Sequence, residues 1–329
     1  MSNFDCHTLA RDTASTEELS SARLSVLIDH CRDAQAAWKQ VPFLLDGACL
    51  WDGMPLMGKH VLVKPNLLRA QALACTSPEV VAAACSWLLD MGARVTVADS
   101  PGFGSAAGVA SAIGLDPLLK KLGLHAEPMR GRVPVRLPSG DEIFIARTAM
   151  EADCILSCAR LKAHSQMRLT MSCKNLYGCV PGLYKALYHT RQGCVPEQFA
   201  AMQSSILGFL PPVSGLIDAI CAMHVTGPSG GKPYNLGLLG ASASPVALDE
   251  AFCRITGRDP EDVPLQKAFI MANHPHCSAS GAVVQYPVLS PEDVCVSDFV
   301  LPEELMHTSF RPGRLLKSCF KRIWDGMFH

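Results

Sequence analysis

Apolar positions in this chain fall into short blocks that turn residues interrupt, and the blocks switch between two periods. Residues 60–64 (HVLVK) form a short β-type run that Pro65 stops, because proline has no N–H for a ladder. Ser77-Pro78-Glu79 then supplies an N-cap, a proline at the first helical position and an early acid. It predicts a helix to about Met91, with Gly92 in the left-handed position after it. Residues 94–99 (RVTVAD) predict the next strand. Strand, helix and strand at this spacing make a βαβ unit, and hence a parallel sheet with a right-handed crossover.

Further along, Gly102-Phe103-Gly104 leads into helical stretches up to Ile113 and over 117–122, the second closed by Gly123. Residues 133–137 and 142–146 flank Pro138-Ser139-Gly140-Asp141, a hairpin signal. Residues 154–158 (CILSC), 216–220 and 236–240 read as apolar strands, and Ser244-Pro245 opens a helix to Thr256 with Gly257 as its cap. Residues 1–57 read as a mixed lead-in with a helix around 24–41. The alternation predicts an α/β fold, a layered and largely parallel sheet with flanking helices over 58–275, followed by an extension over 276–329. In that extension, residues 311–329 carry five Lys/Arg against one acid, with Leu316, Phe320, Ile323, Trp324 and Met327 at helical spacing. Such a basic amphipathic helix lies on an anionic membrane, fills a partner's groove, or packs back on its own domain.

With 329 residues, 49% of them apolar and 18% charged, a large core is attainable and wholesale disorder is excluded. A formal net charge of -1 argues against a nucleic-acid partner, which would call for a basic excess. Fifteen cysteines at irregular spacing are not a disulfide framework. The start, MSNFDCHTLARDT, lacks an apolar signal core, and the longest apolar run, 80–89, is too short to span a bilayer. A soluble, cytoplasmic protein with free thiols is expected.

Against that neutral background, residues 154–196 contain no Asp or Glu. They carry Arg160, Lys162, Arg168, Lys174, Lys185 and Arg191, with His164 and His189 among them. Cations without local counterions repel one another unless solvent, distant acids or an anionic ligand compensates them. In α/β sheets ligands gather beyond the carboxyl ends of strands. Four such ends carry polar groups here: Lys64-Pro65-Asn66, Asp99-Ser100-Pro101-Gly102, Arg160 to His164, and Asp218.

Residues 165–177 read as a helix beginning just after Lys162 and His164. Its N–H groups near Ser165, with those two side chains, would favour a phosphate or carboxylate. In the alternative Ser165 is only a cap and Lys162 faces solvent. His164 and His189 suit proton transfer near neutral pH. Cys154, Cys158, Cys173, Cys179 and Cys194 match neither a zinc ribbon nor a ferredoxin run, so core thiols explain them more simply and no metal site is assigned. Gly102-Phe103-Gly104-Ser105-Ala106-Ala107 meets the loose dinucleotide pattern but lacks the later acid, and stays a candidate backbone cradle at Gly102. Gly227 to Lys232 approaches a P-loop, yet Thr226 and Pro233 occupy its defining positions, leaving a glycine-rich turn or lid.

These residues occur in an order that resembles the domain-of-unknown-function 362 family: Lys64-Pro65-Asn66, Asp99-Ser100-Pro101-Gly102, LKAHSQMRLTMSCKNLYGCVPG with Lys185 and His189 behind it, Asp218, Met223 to Pro228, and Pro245 to Asp249. The resemblance covers about 58–275 and marks Lys64, Asn66, Asp99, Lys162, His164, Thr170, Lys174, Asn175, His189, Asp218 and Asp249 as recurrent. Many members carry a fused ferredoxin module. This chain has no C-x₂-C-x₂-C-x₃-C run, so no 4Fe-4S cluster is expected and the cofactor is left open. A redox role would then need a separate ferredoxin-type electron carrier. His224-Val225 and Ser244 stand where members commonly show an acid with a glycine and an Asp, which weakens any metal role there.

The first functional expectation is an enzyme acting on an anionic small molecule. Lys162, Lys174 and Ser165 hold the anion, with Lys64, Asn66, Gly102, Thr170 and Asn175 around it. His164 or His189 moves a proton, and Asp99 or Asp218 positions the imidazole or a cation. The second is a non-catalytic sensing or scaffold module that docks through 311–329.

Overall fold

A computed structural model describes residues 23–193 and 195–306. In chain order the elements are β1 (Arg23–His30), α1 (Ala37–Gly47), β2 (His60–Pro65), α2 (Pro78–Asp90), β3 (Arg94–Asp99), α3 (Ala106–Ala112) and α4 (Asp116–Lys121). There follow β4 (Ala126–Pro128), β5 (Val133–Arg136), β6 (Glu142–Ile145), α5 (Arg147–Met150), β7 (Cys154–His164), β8 (Arg168–Thr170) and α6 (Ser172–Asn175). The rest are α7 (Gly182–Gln192), α8 (Pro196–Phe209), β9 (Val213–His224), β10 (Lys232–Tyr234), β11 (Leu238–Ser242), α9 (Pro245–Ile255), α10 (Pro264–Met271) and β12 (Val283–Gln285).

The fold is α/β. One sheet runs β12-β1-β11-β9-β7-β2-β3-β4, with β10 added to β9 and β8 added to β7. Pairings from β9 through β4 are parallel, whereas β11 lies antiparallel to both β9 and β1. The strands alternate between two buried faces, as a sheet with helices on both sides requires. Val61, Val63, Cys154, Leu156 and Cys158 pack with α1 to α4, while Leu62, Ala98 and Ile155 pack with α8 and α10, and Ile217 and Ala219 with α9.

Two expectations change. The stretch read as a helix over 24–41 is a strand followed by a helix. Val26, Leu27 and Ile28 are all buried because β1 sits inside the sheet between β11 and β12. Sheet and core therefore run across both ends of the 58–275 span. The 165–177 helix is also absent: β7 continues to His164, and β8 folds back along it with Lys162 opposite Thr170. β7 extends past the end of β2, so its far edge is open for that extra strand. Helical structure begins at Ser172. Among the described residues no helix is long and apolar enough to cross a membrane. Residues 311–329 and Cys194 lie outside the described residues.

Candidate functional site

The polar residues meet at the carboxyl ends of β2, β3 and β7, except that Asp218, expected at a strand end, lies midway along the longer β9, opposite Arg160. A buried ammonium must spend its three N–H donors on acceptors. Lys64, 1% exposed, does so: Asp99 Oδ1 lies at 2.8 Å, Asn175 Oδ1 at 3.0 Å and the Pro65 carbonyl at 2.7 Å. Asp99 also accepts from the backbone N–H groups of Leu67 and Ser100. Gly178 packs against this pair so closely that a Cβ there would stand 2.3 Å from Lys64 Cε. Lys64 is thus part of the frame, with no donor left for a ligand.

Arg160 and Asp218 make a second buried pair at 3.3 Å. Asp218 accepts from Ser77 N at 2.7 Å, and Arg160 donates to the Cys75 and Cys221 carbonyls and to Ser77 Oγ. The two pairs staple the 66–77 loop over the strand ends. Of the roles expected for Asp99 and Asp218, holding a cation is the one this geometry provides; neither carboxylate bonds an imidazole among the described contacts.

Beyond the frame the cations lose their counterions. Lys162, 2% exposed, donates to the Ala74 carbonyl at 2.7 Å and to Asn66 Oδ1. Asn66 in turn donates to Asn175 Oδ1 at 3.1 Å, so the two asparagines join the Lys64 and Lys162 ammoniums. Burial, and then repulsion from Lys174 and Arg160, lowers the Lys162 ammonium to about 7. Lys185 donates to the Ser100 carbonyl.

Lys174, partly buried on α6, makes no hydrogen bond or ion pair among the described residues. Burial and then Lys185 push it down to about 7. It also repels Lys162, His164 and His189, which places it at the centre of the cluster.

His164, 8% exposed, accepts from the backbone N–H groups of Gln166 and Met167 at Nδ1, at 3.1 and 3.2 Å. Burial, then Lys174, His189 and Lys162, pushes its pKa far below the usual imidazole range. The neutral ring therefore carries its proton on Nε2, which is left to donate. His189 is lowered to about 4 by burial and then by Lys174. The Oγ1 of Thr170, opposite Lys162, is buried without a partner among the described residues.

Ser165 does not head a helix. Its N–H donates to the Gly227 carbonyl and its own carbonyl accepts from Met306. The true helix start on α6 is filled from within the protein. Asp249 Oδ1 and Oδ2 accept the N–H groups of Ser172 and Cys173 at 2.8 and 2.9 Å. Asp249 therefore caps α6 rather than serving the dipole of its own helix, α9; burial raises its carboxyl to about 7 against the pull of those N–H groups. The start of α6 therefore has no N–H of Ser172 or Cys173 left to offer a ligand. Gly102 lies at the rim, where Phe103 N donates to Leu68 O. There Arg69 stacks over Phe103 at 5.6 Å and donates to Ser229 Oγ at 2.8 Å, joining three loops, including the glycine-rich turn.

Among the described residues no three His, Cys, Asp or Glu side chains form a group that could hold a metal. The groups able to meet a negatively charged ligand are Lys174, the remaining N–H of Lys162, His164 Nε2 and Thr170 Oγ1. The sequence reading undervalued Arg160, Lys185 and Asp249; the missing signal was their partners, which lie far away in the chain.

The sequence pattern of the family described as "Domain of unknown function (DUF362)" matches residues 61–254. A thylakoid-associated protein of Synechocystis sp. is 35% identical over 271 residues, covering 81% of this chain and 84% of that protein. Among solved structures, the lactate racemase apoprotein of Thermoanaerobacterium thermosaccharolyticum is similar with a TM-score of 0.45 at 15% identity, over 72% of this chain and 58% of that one. A protein from Thermotoga maritima follows with a TM-score of 0.38 at 9% identity, over 61% and 53%. This chain spans less than two thirds of either structure, and the architecture above rests on its own strand order.

Proposed function

The chain belongs to the DUF362 family, and from that premise we propose that it is an enzyme acting on an anionic small molecule held at Lys174 and Lys162. One observation carries the reading: Lys174 is a partly buried ammonium without a partner among the described residues, at the centre of a cluster that includes Lys162, Lys185, His164 and His189. A site that gathers like charges at a cost in self-repulsion recovers that cost when an anion enters. The frame of Lys64–Asp99 and Arg160–Asp218 keeps the nearest carboxylates engaged, so they do not compete for the open cations. His164 donates from Nε2 to the bound anion.

The experiment is thermal unfolding against sulfate, phosphate, acetate and malonate, for the wild type, Lys174→Ala and, as control, Lys267→Ala at an exposed position of α10. Stabilisation by at least one anion, lost in Lys174→Ala and kept in Lys267→Ala, is expected. Equal responses in all three proteins contradict the site.

A second reading concerns location. Because the Synechocystis relative is thylakoid-associated, we propose that the basic, amphipathic sequence 311–329 docks the chain on an anionic membrane face. Co-sedimentation with phosphatidylglycerol vesicles should fall when residues 310–329 are deleted. Undiminished binding retires this reading and leaves the anion site untouched.

A further inference from the structure

The two open lysines of the cluster differ in one respect that bears on chemistry. Lys162 is anchored by two acceptors and cannot swing, whereas Lys174 has no acceptor among the described residues and is reached by solvent. A desolvated amine beside other cations is the arrangement in which lysine becomes a nucleophile toward carbonyl carbon. Lys162, with a third N–H, and His164, with Nε2, lie near enough for Lys174 to repel them, and the Thr170 hydroxyl, without a partner among the described residues, belongs to the residue paired opposite Lys162; these are donors suited to a carboxylate.

Resting on the anion-site reading above, we propose that Lys174 condenses with the carbonyl carbon of a small 2-oxo acid, forming a Schiff base while Lys162 and Thr170 hold the substrate's carboxylate. Lys174 Nζ attacks the carbonyl carbon, and the N–C bond forms. The C–O bond then breaks, and the oxygen leaves as water with the two protons that the neutral amine carried. No electron is gained or lost. The fall of the Lys174 ammonium to about 7 leaves a substantial share of neutral amine at neutral pH, and one proton taken up from solvent converts the imine nitrogen to an iminium that can draw electrons from the adjoining carbon. Lys64 is excluded from this role, since all three of its donors are engaged.

The test uses the full chain with pyruvate as probe and sodium borohydride as trap, read by intact mass and peptide mapping. One saturable adduct per chain, mapped to Lys174, is expected. Lys174→Arg should abolish it, and Lys162→Met should lower its yield about tenfold, the worth of one charge-assisted hydrogen bond. Mapping on the unmodified sequence needs no variant to fold. An adduct spread over exposed lysines such as Lys39, Lys120 and Lys267, or no adduct at saturating pyruvate, overturns the proposal. Thermal stabilisation by pyruvate without a trapped adduct overturns the Schiff base while sparing the anion site. A Lys174 adduct with no anion stabilisation does the reverse.

Discussion

Gly178 offers a sharp perturbation of the frame that holds the candidate site. An added Cβ would stand 2.3 Å from Lys64 Cε, 2.4 Å from Lys64 Nζ and 2.5 Å from Asp99 Oδ1. Both side chains of that pair are almost wholly enclosed, so neither can swing aside into solvent. Gly178→Ala must therefore overpack the site, at about 1–3 kcal/mol, and stretch a buried ion pair whose complete rupture costs about 3–5 kcal/mol. Against this stands a gain of about 0.4–1 kcal/mol from a stiffer unfolded chain. The expected net loss is about 3 kcal/mol.

Gly182, at the start of α7, is the internal control, because nothing lies within 4 Å of its Cβ position. Gly182→Ala should be neutral or stabilising by up to about 1 kcal/mol. Urea unfolding of both variants reads the difference directly. Equal midpoints would refute the tight Lys64–Asp99–Gly178 packing and the frame built on it.

Other consequences follow from the same network. Asp249→Asn leaves one of the Ser172 and Cys173 N–H groups facing an amide N–H₂ instead of an oxygen. It should cost about 2 kcal/mol by urea unfolding and weaken sulfate binding, because α6 carries Lys174; unchanged values for both would remove the capping role. Acid should destabilise the protein. His164 and His189 stay neutral when folded, so the unfolded chain binds more protons below about 6.5, and stability falls as pH drops toward about 4. Asp249 contributes with the opposite sign: its folded value of about 7 exceeds 3.8, so its share is present at low pH and lost as pH rises through 7. The acid loss should accordingly steepen in Asp249→Asn, and a slope that flattens would contradict the assignment.

Much of the fold was legible where local signals sufficed. Ser77-Pro78 and Ser244-Pro245 start helices where expected, and Ser244 Oγ accepts from Ala247 N. The β2–α2–β3 unit and the 133–145 hairpin also follow from spacing and turn residues. β1 was hidden because its partner β11 lies about two hundred residues onward, and Leu24, Val26 and Ile28 fit either period over a short window. β8 was hidden for a related reason. Leu169, Cys173 and Leu176 suit a helix face, and only the long reach of β7 beyond β2 shows that a strand can add there.

In the site, the strand ends and the cation-rich run were visible as residues, and their convergence followed from topology. Which cation is engaged and which is open was not visible. That depends on acceptors from remote segments: Asp99 for Lys64, Asp218 for Arg160 and the Ala74 carbonyl for Lys162.

The central claim is that an anion meets Lys174 and Lys162 at a site without carboxylate competition. Calorimetric titration with sulfate between pH 6 and 8.5 tests it most directly, because sulfate stays a dianion over that range and any change belongs to the protein. Both ammoniums lose their protons near 7 in the free protein. Sulfate must therefore draw protons in as it binds, and its affinity should fall at least about tenfold across the range, with measurable proton uptake at the alkaline end. An affinity that stays flat with pH, or that survives Lys174→Ala, would contradict the account.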